Sequence, residues 1–249
     1  MTTASPDVSD DALAAGIVAL ALALPPGARA KLDAYLALLA KWNKTYNLTA
    51  IREPARMVTH HLLDALAVLP HLPQHERLRV LDVGAGGGVP GLPLAIARPQ
   101  WRVVLADANH KKATFLAQAG IELALPNVTA VATRVEDYAP DAPFDVVISR
   151  AFADLRTFAE SSARHVADDG VLVAMKGVHP HEELADLPAD ITVIATHALA
   201  VPGLDAARHL IVMQRRGTRA GRASWRSRTR RAVSARRRRR SISPRASSR

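Results

Sequence analysis

From residue 79 onward the chain alternates short β-branched runs with stretches of helical length. The runs are RVLDVG (79–84), RVVLAD (102–107), VTAVAT (128–133), FDVVISR (144–150) and GVLVAMK (170–176). Residues 91–98, 110–124 and 154–167 lie between them and suit helices. Strands that alternate with helices fold as parallel neighbours joined by crossovers, which predicts an α/β fold around a mostly parallel sheet. Two more apolar runs, ITVIATHALAV (191–201) and HLIVMQ (209–214), have no helix between them. They are expected to pair as a hairpin and complete a sheet of seven strands with flanking helices. No internal repeat is visible.

The first seventy residues read differently. Leu32, Tyr35, Leu36, Leu39 and Trp42 fall on one stripe at a period near 3.6, so residues 29–42 predict a helix. Residues 55–69 predict another, with Leu62, Leu66 and Leu69 on one side. Pro54 suits its first turn, and Pro70 and Pro73 end it. Asn43 and Asn47 suit the turn after the Trp42 helix, and Trp42 itself reads as core. The apolar stretch 12–24 follows Asp7, Asp10 and Asp11, where a secretory leader would carry positive charge, so it reads as a helix. No apolar run reaches the roughly eighteen residues that span a bilayer. The expected organisation is a small N-terminal helical region (1–70), an α/β domain (71–214) and a tail (215–249).

The formal charge of +10 belongs to that tail. Residues 214–249 hold fifteen arginines, no lysine and no acid, and removing those fifteen from +10 leaves residues 1–213 at about −5. With almost nothing apolar to bury, the tail is expected to be disordered. It either holds RNA phosphates or is incidental to function, and the second reading is favoured because such runs are usually only solvated. There is no cysteine. That excludes disulfides, thiolate metal sites and a cysteine nucleophile, and it fits the cytoplasm.

Between the first strand and the next helix stands LDVGAGGGVPGLPLAIA (81–97). Glycine at this density marks a place where backbone closely approaches something. In an open parallel sheet, ligands bind beyond the carboxyl ends of the strands, where Gly84 and Gly86 fall. Asp107 ends the second strand, where a carboxylate can accept from both hydroxyls of a ribose. Glu136 lies just past the third, within reach of an adenine. A dinucleotide and S-adenosylmethionine both suit this arrangement. Gly86, Gly88 and Gly91 match G-x-G-x-x-G, but Pro90 inside it has no N–H to offer a pyrophosphate. The form D-V-G-x-G-x-G, with Asp82 two residues before the first glycine, instead resembles the first motif of methyltransferases.

The acceptor can be narrowed by what is missing. Methylating carbon 5 of a pyrimidine needs a covalent activator, normally cysteine. Methylation of an exocyclic amine usually relies on a D/N-P-P-aromatic loop after the fourth strand, where this chain has ISRAFADL with Arg150. The N7 atom of guanine already carries a free lone pair and needs only a positioned pocket.

Eight stretches then occur in order: KWNKTYNLTAI (41–51), HHLLDALAV (60–68), DVGAGGGVPGLPLAI (82–96), DANHKKATFL (107–116), RVED (134–137), ISRAFADL (148–155), MKG (175–177) and RHLIVM (208–213). Together they resemble the RsmG family, once called glucose-inhibited division protein B, over about residues 30–214. The resemblance implies a Rossmann-like class I methyltransferase that uses S-adenosylmethionine to methylate N7 of one guanosine of 16S ribosomal RNA, guanine 527 in the family. Carried over residue by residue, the family's cofactor contacts fall on Gly84, Val89, Val135, Glu136 and Arg150. The reading of the residues adds Gly86 and Asp107. The arginine tail departs from the family pattern.

Arg134, Lys176 and Arg208, with Arg150, lie at or beside strand ends, and several of them are expected to converge near the donor as RNA contacts, held for phosphate or for the guanine O6/N7 edge. The competing reading is ion pairing with Asp137, Asp154 or Asp205. No catalytic base and no metal are expected. His60, His61 and Asp64 match a family signature, and packing or a hydrogen bond across the two units is the favoured role. The expected partner is 16S ribosomal RNA or the small ribosomal subunit, with no membrane, and the protein is expected to be monomeric. A dinucleotide-dependent oxidoreductase and a non-catalytic RNA-binding module are the rival functions.

Overall fold

A computed structural model describes residues 8–216; of the expected Arg-rich tail (215–249), Arg215 instead ends the last strand and Arg216 follows it, and residues 217–249 lie outside the described residues. Helices α1 (Val8–Ala19) and α2 (Ala28–Tyr46) come first, followed by a broken helical segment. That segment is α3 (Pro54–Met57), a wide π turn (Val58–Leu63) and α4 (Asp64–Leu66), with a 3-10 turn at Leu69–His71. Pro70 lies inside that last turn, so the regular helix stops earlier than residue 69.

The sheet follows. Its strands are β1 (Arg79–Val83), β2 (Arg102–Asp107), β3 (Val128–Ala132), β4 (Phe144–Arg150), β5 (Val166–Lys176), β6 (Ile191–Ala198) and β7 (His209–Arg215). The spatial order is β3-β2-β1-β4-β5-β7-β6. The first five strands pair in parallel, and β7 runs antiparallel to both β5 and β6. The seven-stranded sheet and its closing hairpin match the sequence reading. Helices α5 (Gly91–Ala97), α6 (His110–Glu122) and α7 (Leu155–Ser162) make the crossovers, and a short α8 (His181–Ala185) precedes β6. Strand β5 starts at Val166, four residues before the apolar run, because Ala163–His165 form a 3-10 turn that ends the helix early.

Side chains alternate across the sheet as strand geometry requires. Val80, Val146, Ile148, Val171, Val173, Met175, Leu210 and Val212 share one buried cluster with α1, α2, α4, α5 and α6. Leu81, Val83, Val147, Leu172, Ala174, Ile211 and Met213 face the other way, onto Leu155, Phe158 and Ala159 of α7. The parallel strands wind outward from β1 in one direction and from β4 in the other. Right-handed crossovers therefore put α5 and α6 on one face and α7 on the opposite one. That leaves β4, β5 and β7 without a crossover helix on the α5 side. There the side chains of β4, β5 and β7 join one buried cluster with those of α1, α2 and α4, while α2 also packs against α5 and α6, and α4 against α5. A mostly parallel sheet needs both faces covered, so the helices before β1 complete the core.

Asn47 ends α2 in a left-handed conformation at φ 49°, and the Asn43 carboxamide oxygen accepts the Thr49 N–H at 2.9 Å. Trp42 is half-buried against Phe115. Among the described residues no helix is long and apolar enough to cross a membrane.

Candidate functional site

The carboxyl ends of β1 and β4 are neighbours, and the winding of the sheet reverses between them. Such a reversal opens a crevice above the sheet. Ser149 joins its two sides, its hydroxyl donating to the Val83 carbonyl at 2.7 Å.

On the β1 side, Gly84 is exposed and left-handed at φ 67°, a conformation that costs an L side chain about 1–2 kcal/mol. A Cβ built on it meets no atom within 4 Å. The backbone there is bare and faces open space. Its own N–H and that of Ala85 are held by the Ala106 carbonyl at 2.9 and 3.0 Å. Asp107, only 7% exposed, clamps the next step of the loop. Its Oδ2 accepts the Gly86 N–H at 2.9 Å and its Oδ1 accepts the Asn109 N–H at 2.8 Å. Asn109 in turn caps α6 through Lys111 and Lys112. So Asp107 sits against the glycine loop, with lone pairs left over on each oxygen.

Behind the loop lies Asp82, fully buried. Its Oδ2 accepts the Gly91 N–H at 2.8 Å, while Oδ1 has no partner among the described residues. Burial pushes its pKa up to about 7, against the pull of the Gly91 N–H and of Arg150. A Cβ at Gly91 would lie 2.7 Å from the Asp82 carboxylate, so only glycine admits this helix–strand contact. Val89 is buried and precedes a cis peptide to Pro90. Tyr35 reaches in from α2, and its hydroxyl donates to the Gly87 carbonyl at 2.6 Å.

The turn after β3 is held from behind. Val135 is buried and Glu136 exposed. The Val135 carbonyl lies 2.8 Å from His165 Nε2, and Arg164 donates to the carbonyls of Glu136 and of Tyr138. These contacts turn the carbonyl side of the 135–138 segment toward the 3-10 turn after α7.

Three of the four cations come together and the fourth, Arg134, stands apart. Arg134 stands past the end of β3, five strand positions from β7, roughly 24 Å at the usual strand spacing. It is exposed and has no ion-pair partner among the described residues. Arg150, Lys176 and Arg208 lie together at the ends of β4 and β5 and the start of β7, where Arg150 is in register with Met175 and Lys176 with His209. All three are paired, but not with the acids the sequence suggested. Lys176 meets Glu183 at 2.7 Å, and Glu183 also accepts the Leu155 N–H. Arg150 and Arg208 both reach Asp64, at 3.4 and 3.2 Å, and Arg150 also donates to the His60 carbonyl at 2.8 Å. Asp154 instead caps α7 through the Thr157 N–H, since a carboxylate ahead of a helix is drawn to its free amides. Among the described residues no three histidine or acidic side chains are grouped to hold a metal.

The family model for rRNA small subunit methyltransferase G matches residues 28–211. The chain belongs to that family. It is 56% identical over 203 residues to ribosomal RNA small subunit methyltransferase G of Azoarcus sp. (strain BH72), covering 82% of this chain and 95% of that protein. Proteins of the same name from Chromobacterium violaceum and Nitrosospira multiformis are 54% and 51% identical, over 80% and 82% of this chain and 94% and 97% of theirs. Among solved structures, mitomycin 7-O-methyltransferase MmcR aligns with a TM-score of 0.53 at 13% identity, over 71% of this chain and 60% of that one. That likeness bears on fold alone, and it agrees with a Rossmann-like class I methyltransferase architecture.

Several members of the methyltransferase site are not announced by sequence spacing. Tyr35 braces a loop 52 residues away, and Glu183 meets a lysine on β5. Arg164 and His165 read as the continuation of an apolar helix, and nothing in their spacing marks them as the brace of the 135–138 turn. Asp64 and His61 were legible as a motif. His61, buried, pairs with the Thr49 hydroxyl at 3.0 Å, and burial first, then Arg150, pulls its pKa down to about 4.

Proposed function

We propose that this methyltransferase transfers the methyl group of S-adenosylmethionine to N7 of one guanosine in 16S ribosomal RNA, guanine 527 by family resemblance. The observation that carries the donor site is the exposed, left-handed Gly84 with open space at its Cβ position, set beside the buried carboxylate of Asp107. The RNA acceptor follows from the relatives, whose names specify small-subunit ribosomal RNA.

The residues present fit the donor. Gly84 and Gly86 offer bare main chain, Asp107 offers carboxylate lone pairs to ribose hydroxyls, and Val135 is assigned to the adenine edge through its main chain. Glu136, exposed at the same turn, is assigned to the adenine edge as well, and Val89 packs beneath the loop. Arg150 closes the site from the β4 side. When bound, the donor supplies a methyl carbon made electrophilic by its sulfonium.

The chain itself has little chemistry to do. Guanine N7 carries no proton, so no side chain has to remove one before attack. The new N–C bond forms as the C–S bond breaks, and no proton moves. The protein supplies position and electrostatics. The ring becomes positive on methylation, so nearby guanidinium groups serve to hold RNA rather than to act as acids. Arg208 and Arg150 share that edge with Lys176, whose charge Glu183 offsets. Arg134, on the far flank, is assigned to RNA backbone outside the target nucleotide.

Mass mapping of ribosomal RNA from cells with and without the protein tests the reaction; an unchanged guanosine pattern would reject it. Calorimetry with S-adenosylhomocysteine and with NAD tests the donor. Binding of NAD alone would replace this reading with the oxidoreductase.

A further inference from the structure

Among the described residues, Asp64 is a buried acid that meets two cations, one from the end of β4 and one from just before β7. Its side chain is 3% exposed, and both oxygens are used: Oδ2 by Arg150 Nη1 and Oδ1 by Arg208 Nε. Each guanidinium has a second anchor. Arg150 donates to the His60 carbonyl at 2.8 Å, and Arg208 donates through Nη1 to the Ala207 carbonyl at 2.9 Å. An arginine carries five N–H donors, so each still has some to offer. Their side chains remain 27% and 22% exposed, so those donors reach solvent at the carboxyl edge of the sheet. The carboxylate follows directly on the π turn Val58–Leu63, and turns of that kind often mark functional positions in helices.

Charge balance alone does not explain this cluster. One carboxylate between two guanidinium groups leaves a net positive charge, and a buried charge pair is weak support for stability in the first place. A fixed pair of planar cations with one unit of charge left over suits an oxyanion.

We propose that Asp64 is a positioning residue, which holds Arg150 and Arg208 as a rigid fork for a phosphate of the RNA strand that carries the target base. This rests on the function proposed above. Asp64 touches neither donor nor RNA; it fixes the direction in which the two guanidinium groups present their remaining donors.

The test is Asp64→Asn in the full-length protein, assayed at saturating donor on whichever of naked 16S RNA and small ribosomal subunits the wild type methylates. The substitution keeps the shape but removes the charge that aligns both arginines. With the fold retained by circular dichroism, kcat should fall at least about tenfold, because misplacing a reactant by an ångström can cost up to about a hundredfold. KM for the RNA should not rise, since the cluster gains positive charge. The His60 carbonyl still holds Arg150, so the Kd for S-adenosylhomocysteine should stay within about threefold. A kcat within about twofold of wild type overturns the proposal. So does a raised RNA KM at unchanged kcat. A loss confined to S-adenosylhomocysteine affinity overturns it too, since the fork would then serve the donor's carboxylate. If Asp64→Asn does not fold, Arg208→Lys decides. It keeps the charge on a partly exposed side chain but loses the planar fork, so kcat should drop about fivefold or more, and an undiminished kcat overturns the proposal. A wild type that leaves both RNA substrates unmethylated removes the underlying function; a wild type that methylates beside an equally fast variant removes only the role of Asp64.

Discussion

The phenol of Tyr35 donates to the Gly87 carbonyl across 2.6 Å, which ties the long N-terminal helix α2 to the loop that follows β1. Tyr35 is fully buried, and burial raises its pKa far above neutrality, so it remains a donor at every physiological pH. The helices before β1 thus support the loop as well as the core. Tyr35→Phe deletes the bond and keeps the ring. Its expected cost is about 1 kcal/mol, or about 2–4 °C in Tm for a domain of this size. The Kd for S-adenosylhomocysteine should rise a few-fold by calorimetry. An unchanged Kd in a protein with lowered Tm would show that the loop keeps its shape without the brace.

Gly84→Val separates space from backbone strain. Both Gly84 (φ 67°) and Gly27 (φ 76°) are left-handed, and a Cβ meets nothing within 4 Å at either. Valine at either site should cost about 1–2 kcal/mol of stability from backbone conformation. Only Gly84 faces the crevice. Its valine variant should therefore lose S-adenosylhomocysteine affinity by about thirtyfold or more, while Gly27→Val binds normally. Equal affinity in the two folded variants would remove Gly84 from the site.

Much of this was legible in the chain, for local reasons. The strands showed because β-branched runs are short and well bounded, and the glycine loop because few folds tolerate that density. Asp107 could be placed from strand length alone. What sequence did not give depends on separations that no period spans. Asp64 meets residues 86 and 144 positions away, so its motif was visible but its partners were not. All four cations stand at or beside strand ends, so spacing alone did not say which of them would meet; strand order, which spacing does not encode, gathers Arg150, Lys176 and Arg208 and sends Arg134 to the far flank. Residues 166–169 (VADD) begin β5 without an apolar run, because the polar pair Asp168 and Asp169 is solvated at the strand's start.

Asp82 predicts a pH dependence of stability. Its folded pKa of about 7 lies above the ordinary value of 3.8, chiefly through burial. The folded state therefore holds a proton that the unfolded chain releases above about pH 4. The stabilisation is complete below pH 3.8 and is lost as pH rises to about 7, a change on the order of 4 kcal/mol. His61 works in the opposite direction: with its pKa lowered from 6.5 to about 4, it favours folding above pH 6.5 and loses that contribution as pH falls. The two offset each other in the wild type, so the raw curve conceals both. Asp82→Asn removes one. The Tm of the variant minus that of wild type should rise between pH 4.5 and 8, by on the order of 10 °C. A difference that is flat with pH would mean that Asp82 is ionised in the fold throughout.

Removing the arginine-rich end separates an enzyme from a binding module. The family match stops at residue 211, and Arg216 still donates its N–H to the Asp190 carbonyl beside the sheet. Ending the chain after Arg216 therefore leaves every described contact in place and removes thirteen of the fifteen arginines counted from residue 214. The loss of that many cations should weaken non-specific RNA binding at low salt and flatten its dependence on salt concentration, because fewer counterions are released. Methyl transfer to the target guanosine should continue with kcat unchanged, since the Gly84 mouth and the Arg150–Arg208 edge are intact. Measuring single-turnover methylation and the salt slope of RNA binding on the same preparation checks both halves. If the truncated protein no longer methylates, the tail carries the substrate to the site and the Arg150–Arg208 edge does not suffice for recognition.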